Sequence, residues 1–144
     1  MNRNSILSLV ALVGAAIAVG TIFLTDKGGA PENATEEART IVSVAVPQGL
    51  SETSEIGSKT FAARCSGCHG PNGAGVDGAG PPLVHNIYEP GHHGDESFQR
   101  AVAVGVQSHH WPFGHMPPQD GLTRADVSYI IAYIRELQRH NGIN

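Results

Sequence analysis

Two cysteines and a histidine stand together in the run Cys65-Ser66-Gly67-Cys68-His69, and these are the only cysteines among the 144 residues. Residues three and four positions apart share one face of a helix, so a single helical turn would present both thiols and the imidazole on the same side. Two cysteines this close together cannot form the framework of a disulfide-rich scaffold. The run therefore needs a local chemical role, and the chain has to fold around it.

The C-x-x-C-H spacing of this run is that of covalent c-type haem attachment. Both thiols can form thioether bonds to the porphyrin from one turn, and the imidazole can bind the iron. A thioredoxin-like redox motif would need a βαβ context. A zinc site would need further ligands, and the eight histidines leave this alternative open. A disulfide would leave His69 without a role. The run favours one haem c, bound through Cys65 and Cys68, with His69 as an iron ligand.

A second axial ligand is expected on the other face of the iron, and Met116 is the candidate because the only other methionine is Met1. The two prolines that follow Met116 restrict the backbone and could hold its thioether in place. A methionine that fills a gap in the core is the ordinary alternative. The histidines His115 and His109-His110 are alternative ligands, and a bis-His iron would have a lower potential than a Met/His iron.

Over residues 54–139 the chain resembles the class I cytochrome c family, the small single-haem electron carriers. The run 65–69 matches the family's haem-binding motif, and Met116 followed by Pro117 matches its distal ligand and the proline after it. The segment Gly80–Leu83 is similar to the family's proline-containing loop. The resemblance implies an all-α, cytochrome c-like fold, a small helical domain wrapped around one covalently bound haem.

The resemblance also implies two roles in the proline-containing loop. The carbonyl of Pro81 would accept a hydrogen bond from Nδ1 of His69, which leaves Nε2 for the iron. Leu83 would pack on the haem. Together with the two cysteines, His69 and Met116, these residues make up the expected cofactor-binding set.

A contact between the first and last helices of the domain is implied in the same way. Gly57 and Phe61 lie one turn apart in the helix before the haem motif, and Tyr133 or Tyr129 would lie opposite them. A residue without a side chain at this crossing lets the two helices approach closely.

Hydrophobic periodicity predicts a last helix over about 124–139. Thr123 and Asp126 form a capping-box pattern at its start. Apolar residues then recur at helical spacing: Val127, Ile130, Ile131, Ile134 and Leu137.

An earlier helix is predicted over about 96–104. Asp95 would cap its first turn and Gly105 would end it. Phe98, Ala101 and Val102 would face inward. The apolar segment Ile41–Val46 is predicted as a short strand or as an extended stretch that lies on the domain.

Residues 6–24 are nineteen uncharged, mostly apolar residues. As a helix they would span about 28 Å, close to the roughly 30 Å hydrocarbon core of a bilayer. The alternative is a cleaved secretory signal, since Ala16–Ala18 resembles a cleavage site. The sequence favours the uncleaved anchor, and it divides the chain into a transmembrane segment (1–25), an acidic tether (26–53) and a haem domain (54–144).

The distribution of charge predicts the orientation of the chain and excludes one class of partner. Arg3 precedes the apolar segment and Glu32, Glu36 and Glu37 follow it, which favours a cytoplasmic N-terminus. The predicted location is therefore the cytoplasmic membrane, crossed once, with the haem domain facing the periplasm or the cell exterior. Nine Lys and Arg against thirteen Asp and Glu give a net charge of -4, without the basic patch that nucleic acid would require.

A Met/His iron has no open position for substrate, which favours one-electron transfer over catalysis. The predicted function is a membrane-tethered electron carrier, and the family resemblance implies respiratory complexes or a terminal oxidase as its partners. A subunit of a larger oxidoreductase is one alternative. The other is a haem-based sensor or ligand-binding module in which Met116 is displaceable.

The pairs His92-His93 and His109-His110 exceed what a minimal carrier requires. They are either exposed loop residues without a further role, or ligands for a transition metal such as copper, or groups that make the potential depend on pH. Trp111 beside them could stack on the haem edge or face a partner.

Overall fold

The structure of the protein is a computed structural model, and it describes residues 39–144. The predicted membrane span at 6–24 and the first part of the acidic tether lie outside the described residues. From residue 39 onward, no helix is long and apolar enough to cross a bilayer.

The regular elements of residues 39–144 are helical: two short 3-10 turns, Pro71–Gly73 and Asn86–Tyr88, and four α-helices. In chain order they are α1 (Glu52–Arg64), the single turn α2 (Ser66–His69), α3 (Asp95–Val104) and α4 (Arg124–His140). Within residues 39–144, β pairing is limited to isolated bridges. The predicted all-α class is therefore confirmed.

The helix α4 begins as its sequence predicts. The Thr123 hydroxyl accepts a hydrogen bond from the Asp126 backbone N at 3.2 Å, and Asp126 Oδ2 accepts one from the Thr123 backbone N at 2.9 Å, which completes a capping box. The hydrogen bonds from Thr123 hold the pKa of Asp126 below its usual value. All five periodic apolar residues are buried, and the helix ends at His140, one residue later than predicted.

The start of α3 differs from the prediction. Gly94 is the N-cap, Asp95 is the first helical residue, and no side chain caps the helix. Asp95 Oδ1 instead accepts a hydrogen bond from Nε of Arg135 at 2.8 Å. The buried guanidinium attracts the carboxylate more strongly than the end of the helix does, because an ion pair adds charge to the hydrogen bond. Gly105 ends α3 with a φ of +77°, as predicted.

Arg135 and Gln138 are two buried polar residues that the sequence prediction missed. The Arg135 guanidinium donates to the Tyr88 carbonyl and to Gln138 Oε1, each at 2.6 Å. Gln138 Nε2 donates to the Leu83 carbonyl at 2.8 Å. Both side chains follow Ile131 at helical spacing on the inward face of α4, and this register could have identified them. They attach the chain around residues 83–93 to α4.

The helices α1 and α4 cross at Gly57. A Cβ atom on Gly57 would lie 1.9 Å from the carbonyl oxygen of Tyr129 and 3.0 Å from Cβ of Tyr133. One turn later the rings of Phe61 and Tyr133 pack with their centroids 5.8 Å apart. Both tyrosines that the resemblance offered therefore contribute, Tyr129 through its backbone and Tyr133 through its side chain.

The segment Ile41–Val46 forms no strand and lies extended on the domain. The backbone N atoms of Ile41 and Val42 donate to the Ala74 carbonyl at 3.2 and 3.1 Å. The Asn141 side chain bonds both the N and the O of Ala45, at 2.9 and 2.8 Å. These contacts bring the segment against both the loop that follows α2 and the end of α4.

Replacing Gly57 by Ala tests the crossing of α1 and α4. The added methyl group would meet backbone that has to move, so we expect the Gly57→Ala holoprotein to lose about 3 kcal/mol of unfolding free energy, the upper end of the range for overpacking. Denaturant unfolding measures this loss. Gly49→Ala is the matched control, because a Cβ there meets no atom within 4 Å; equal stability of the two variants would contradict the close crossing.

Candidate functional site

The cysteine-histidine run forms the helical turn that its spacing predicts. The backbone N atoms of Cys68 and His69 donate to the Cys65 carbonyl at 3.2 and 2.9 Å. Both cysteines are free thiols, with Cys65 partly buried and Cys68 exposed. The turn follows α1 directly, so the position of α1 also sets the position of the thiols.

The environment of Cys65 disfavours two of the alternative roles. Burial raises the pKa of its thiol to about 11, although Arg64 acts in the opposite direction. Redox-active cysteine pairs require the opposite, a thiol that deprotonates easily. A zinc site would need further His, Cys or carboxylate ligands near the thiols. Within residues 39–144, the side chains close enough together to share a metal ion do not include either cysteine.

The imidazole of His69 is oriented by the proline-containing loop. Its Nδ1 lies 2.9 Å from the Pro81 carbonyl oxygen, which is the contact that the resemblance implied. A carbonyl can only accept, so Nδ1 carries the proton and Nε2 retains its lone pair. Burial lowers the pKa of His69, against the effect of the Pro81 hydrogen bond, which raises it. The ring is therefore held in a neutral tautomer suited to metal binding.

A mostly apolar cavity of about 760 Å³ adjoins this ring. Its volume lies within the roughly 300–1,000 Å³ of pockets that bury a small-molecule ligand or cofactor. Five of the six predicted cofactor-binding residues line it: Cys65, His69, Pro81, Leu83 and Met116. Cys68, the sixth, is exposed and lies outside the lining.

The backbone of Met116 is held against the end of α3. Its N donates to the Val106 carbonyl at 3.0 Å and its carbonyl accepts from the Val106 N at 2.9 Å, which makes an antiparallel bridge. A Cβ atom on Gly105 would lie 2.5 Å from the Met116 carbonyl oxygen, so this close approach needs glycine. The sequence predicted neither the bridge nor this second role of Gly105.

The alternative distal ligands line the same cavity. His115 Nδ1 accepts a hydrogen bond from the Ser108 backbone N at 3.0 Å, and His109 Nδ1 lies 2.8 Å from the Gln107 carbonyl oxygen. Both rings are thus engaged with the backbone of their own loop. All of these candidates and Met116 come from one segment, residues 106–116, that covers one side of the cavity.

The two histidine pairs meet in space. His92 Nε2 lies 3.4 Å from His110 Nε2, and the ring centroids of His109 and His110 are 4.3 Å apart. Partial desolvation and the charges of His109, His93 and His92 lower the pKa of His110. The sequence marked these pairs as unusual, but only the fold brings residues 92–93 and 109–110 together.

The unsatisfied indole of Trp111 bears on whether the cavity suits a haem. Its indole Nε1 is buried and makes no hydrogen bond within the described residues. Burial raises the pKa of the nearby Tyr88 hydroxyl, and the Trp111 side chain partly offsets this rise. A buried donor without an acceptor costs about 1–3 kcal/mol. A porphyrin with carboxylate side chains supplies apolar faces for the lining and acceptors for such a donor. The residues present therefore fit the group that the cysteine-histidine run predicts.

Comparison with known proteins agrees with this site. The family model described as Cytochrome c matches residues 54–138. The chain therefore belongs to the cytochrome c family, whose members carry covalently bound haem c and are typically electron carriers rather than enzymes. Cys65 and Cys68 supply the two thiols for that attachment. No solved structure matches the chain significantly.

Removing either thiol tests the attachment. We expect Cys65→Ala and Cys68→Ala each to lower the yield of covalently bound haem, because only one thioether bond remains available. The measurement is a pyridine haemochrome spectrum combined with intact mass after expression in a host that attaches haem c. Ser66→Ala, within the same turn, is the control; full covalent loading in either cysteine variant would contradict the assignment.

Proposed function

We propose that the protein is a one-electron carrier, a membrane-tethered monohaem c-type cytochrome with His69 and Met116 as its axial ligands. The observation that carries this proposal is the bridge between Val106 and Met116, which holds the only methionine of the described residues at the cavity that His69 lines. Haem, when bound, supplies a one-electron couple at its iron.

The residues around the cavity suit this role. The Pro81 carbonyl keeps His69 in the tautomer that leaves Nε2 unprotonated. The thioether of Met116 is a neutral, soft ligand, and such a ligand raises the potential above that of a bis-His iron. With both axial positions filled, no site remains for a substrate.

Met116 is favoured over its neighbour as the distal ligand. The His115 ring is exposed and accepts a hydrogen bond from the Ser108 N at Nδ1, so it takes part in the structure of its own loop. Met116 is partly buried, and no hydrogen bond has to break for its sulfur to bind a metal.

The site of action is proposed from the N-terminal sequence. Residues 6–24 would anchor the chain in the cytoplasmic membrane, and residues 26–53 would connect the anchor to the haem domain outside the cytoplasm. A tether of this kind raises the effective concentration of the carrier near other membrane proteins. The proposed partners are respiratory complexes or a terminal oxidase, which exchange electrons with such carriers.

Met116→Ala tests the distal ligand. We expect this variant to keep its covalent haem, to lose the methionine-iron charge-transfer band, and to have a midpoint potential lower by at least about 59 mV, a tenfold change in a one-electron equilibrium. Redox titration followed by absorption measures the change. His115→Gln is the matched control and should retain band and potential; the opposite pattern would make His115 the ligand.

Carbon monoxide separates the carrier from a haem sensor. A carrier with a firmly bound Met116 should bind carbon monoxide slowly and incompletely when the reduced protein is at neutral pH, since the ligand has to be displaced first. Stopped-flow absorption of the full chain measures this. Rapid, stoichiometric binding would instead favour the sensor and overturn the proposed function.

Fractionation of the full chain tests the anchor. An uncleaved span over 6–24 should keep the haem protein in the membrane fraction after an alkaline carbonate wash, with an intact mass that includes residue 6. A chain that starts at residue 26, joined to a cleavable export signal, should be recovered in the released fraction. If expression of the full-length gene instead yields a released protein that lacks residues 6–24, the segment is a cleaved signal.

A further inference from the structure

Three imidazoles from two separate segments meet at the edge of the haem cavity, whose lining includes two of them, His93 and His110. His92 and His93 lie in the turn before α3, and His110 lies in the loop that leads to Met116. Each offers a ring nitrogen, and these three nitrogens all lie within 4.8 Å of one another. The group contains neither His69 nor Met116, so it is separate from the proposed iron ligands.

The distances within the group suit a bound ion. The ring centroid of His92 lies 4.6 Å from that of His93 and 5.3 Å from that of His110, and His93 and His110 are also 5.3 Å apart. The Nε2 atoms of His92 and His110 are separated by 3.4 Å. Two nitrogens bound to one tetrahedral zinc ion at about 2.0–2.1 Å would be roughly 3.4 Å apart.

One ring of the group is already oriented by the backbone. His93 Nδ1 lies 2.6 Å from the Ile87 carbonyl oxygen. This hydrogen bond requires the proton on Nδ1, so the lone pair of Nε2 is free to bind a metal. Metal-binding histidines are commonly held in this way through their second nitrogen. His93 is half-buried, whereas His92 and His110 are exposed, so an ion could enter from solvent.

The chemistry of the group selects the kind of ion. It holds imidazoles only, without carboxylate or thiolate. Imidazole suits zinc, copper and nickel, whereas magnesium and calcium prefer oxygen ligands. We propose that His92, His93 and His110 form a second metal site, distinct from the haem iron, that binds one divalent ion of the zinc and copper class with a fourth position open to solvent. Such an ion would join the turn before α3 to the loop that carries Met116.

Calorimetric titration of the oxidised holoprotein with Zn²⁺ tests the site. We expect one Zn²⁺ per chain, and at least tenfold weaker binding in His92→Gln and in His110→Gln, since each variant removes one of three ligands. His140→Gln, at the exposed end of α4, is the matched control and should bind Zn²⁺ as the parent does. Retained haem absorption and an unchanged unfolding midpoint establish that the variants are folded.

A second measurement identifies the ligands directly. Cu²⁺ added to the oxidised holoprotein should give an electron paramagnetic resonance spectrum with nitrogen hyperfine structure, and His110→Gln should alter it. Absence of saturable metal uptake beyond the haem iron would overturn the proposal, as would Zn²⁺ affinity in His110→Gln equal to that of the parent. If the His110→Gln substitution by itself changes the haem absorption spectrum to that of a different axial ligand set, this imidazole binds the haem iron and the separate site is excluded.

Discussion

The close approach of α1 to α4 at Gly57 is the contact on which the rest of the domain depends. With no side chain at Gly57, the backbone of α1 meets the carbonyl of Tyr129 directly, and Phe61 packs on Tyr133 one turn later. The chain passes from the end of α1 straight into the turn that carries the two thiols and His69. A shift of α1 along α4 would therefore move the attachment residues away from the cavity.

The same apolar side chains belong to the buried core and to the lining of the cavity. Phe61, Leu83 and Ile130 belong to the buried apolar cluster and also line the cavity. A small domain buries a limited share of its apolar surface, so an apolar group that fills this space adds to the driving force for folding. We expect haem c to complete the core as well as to supply the redox centre. The hydrogen bonds of Arg135 and Gln138 attach Leu83 and Tyr88, two residues of the cavity lining, to α4.

The features that were predictable from the sequence depend on residues near each other in the chain. The helical turn at 65–69 and the capping box of Thr123 and Asp126 follow from spacings of three and four residues, so a pattern is enough to recognise them. Asp95 was assigned to a cap because the same local rule applies to it. That assignment was wrong, since the partner of Asp95 is Arg135, forty residues away in the chain. The ligand roles of the predicted site residues stay predictions.

What the sequence determined by itself is the chemistry on offer: a covalent haem motif, one methionine after it as the candidate distal ligand, and an apolar segment as long as a membrane span. What only the tertiary structure decided is which residues meet. The bridge between Val106 and Met116, the buried hydrogen bonds of Arg135 and the group formed by His92, His93 and His110 all join segments that are distant in the chain. Helical periodicity predicts which face of a helix is buried. Which loops lie next to each other depends on how α1 packs on α4, and the sequence pattern does not contain that information.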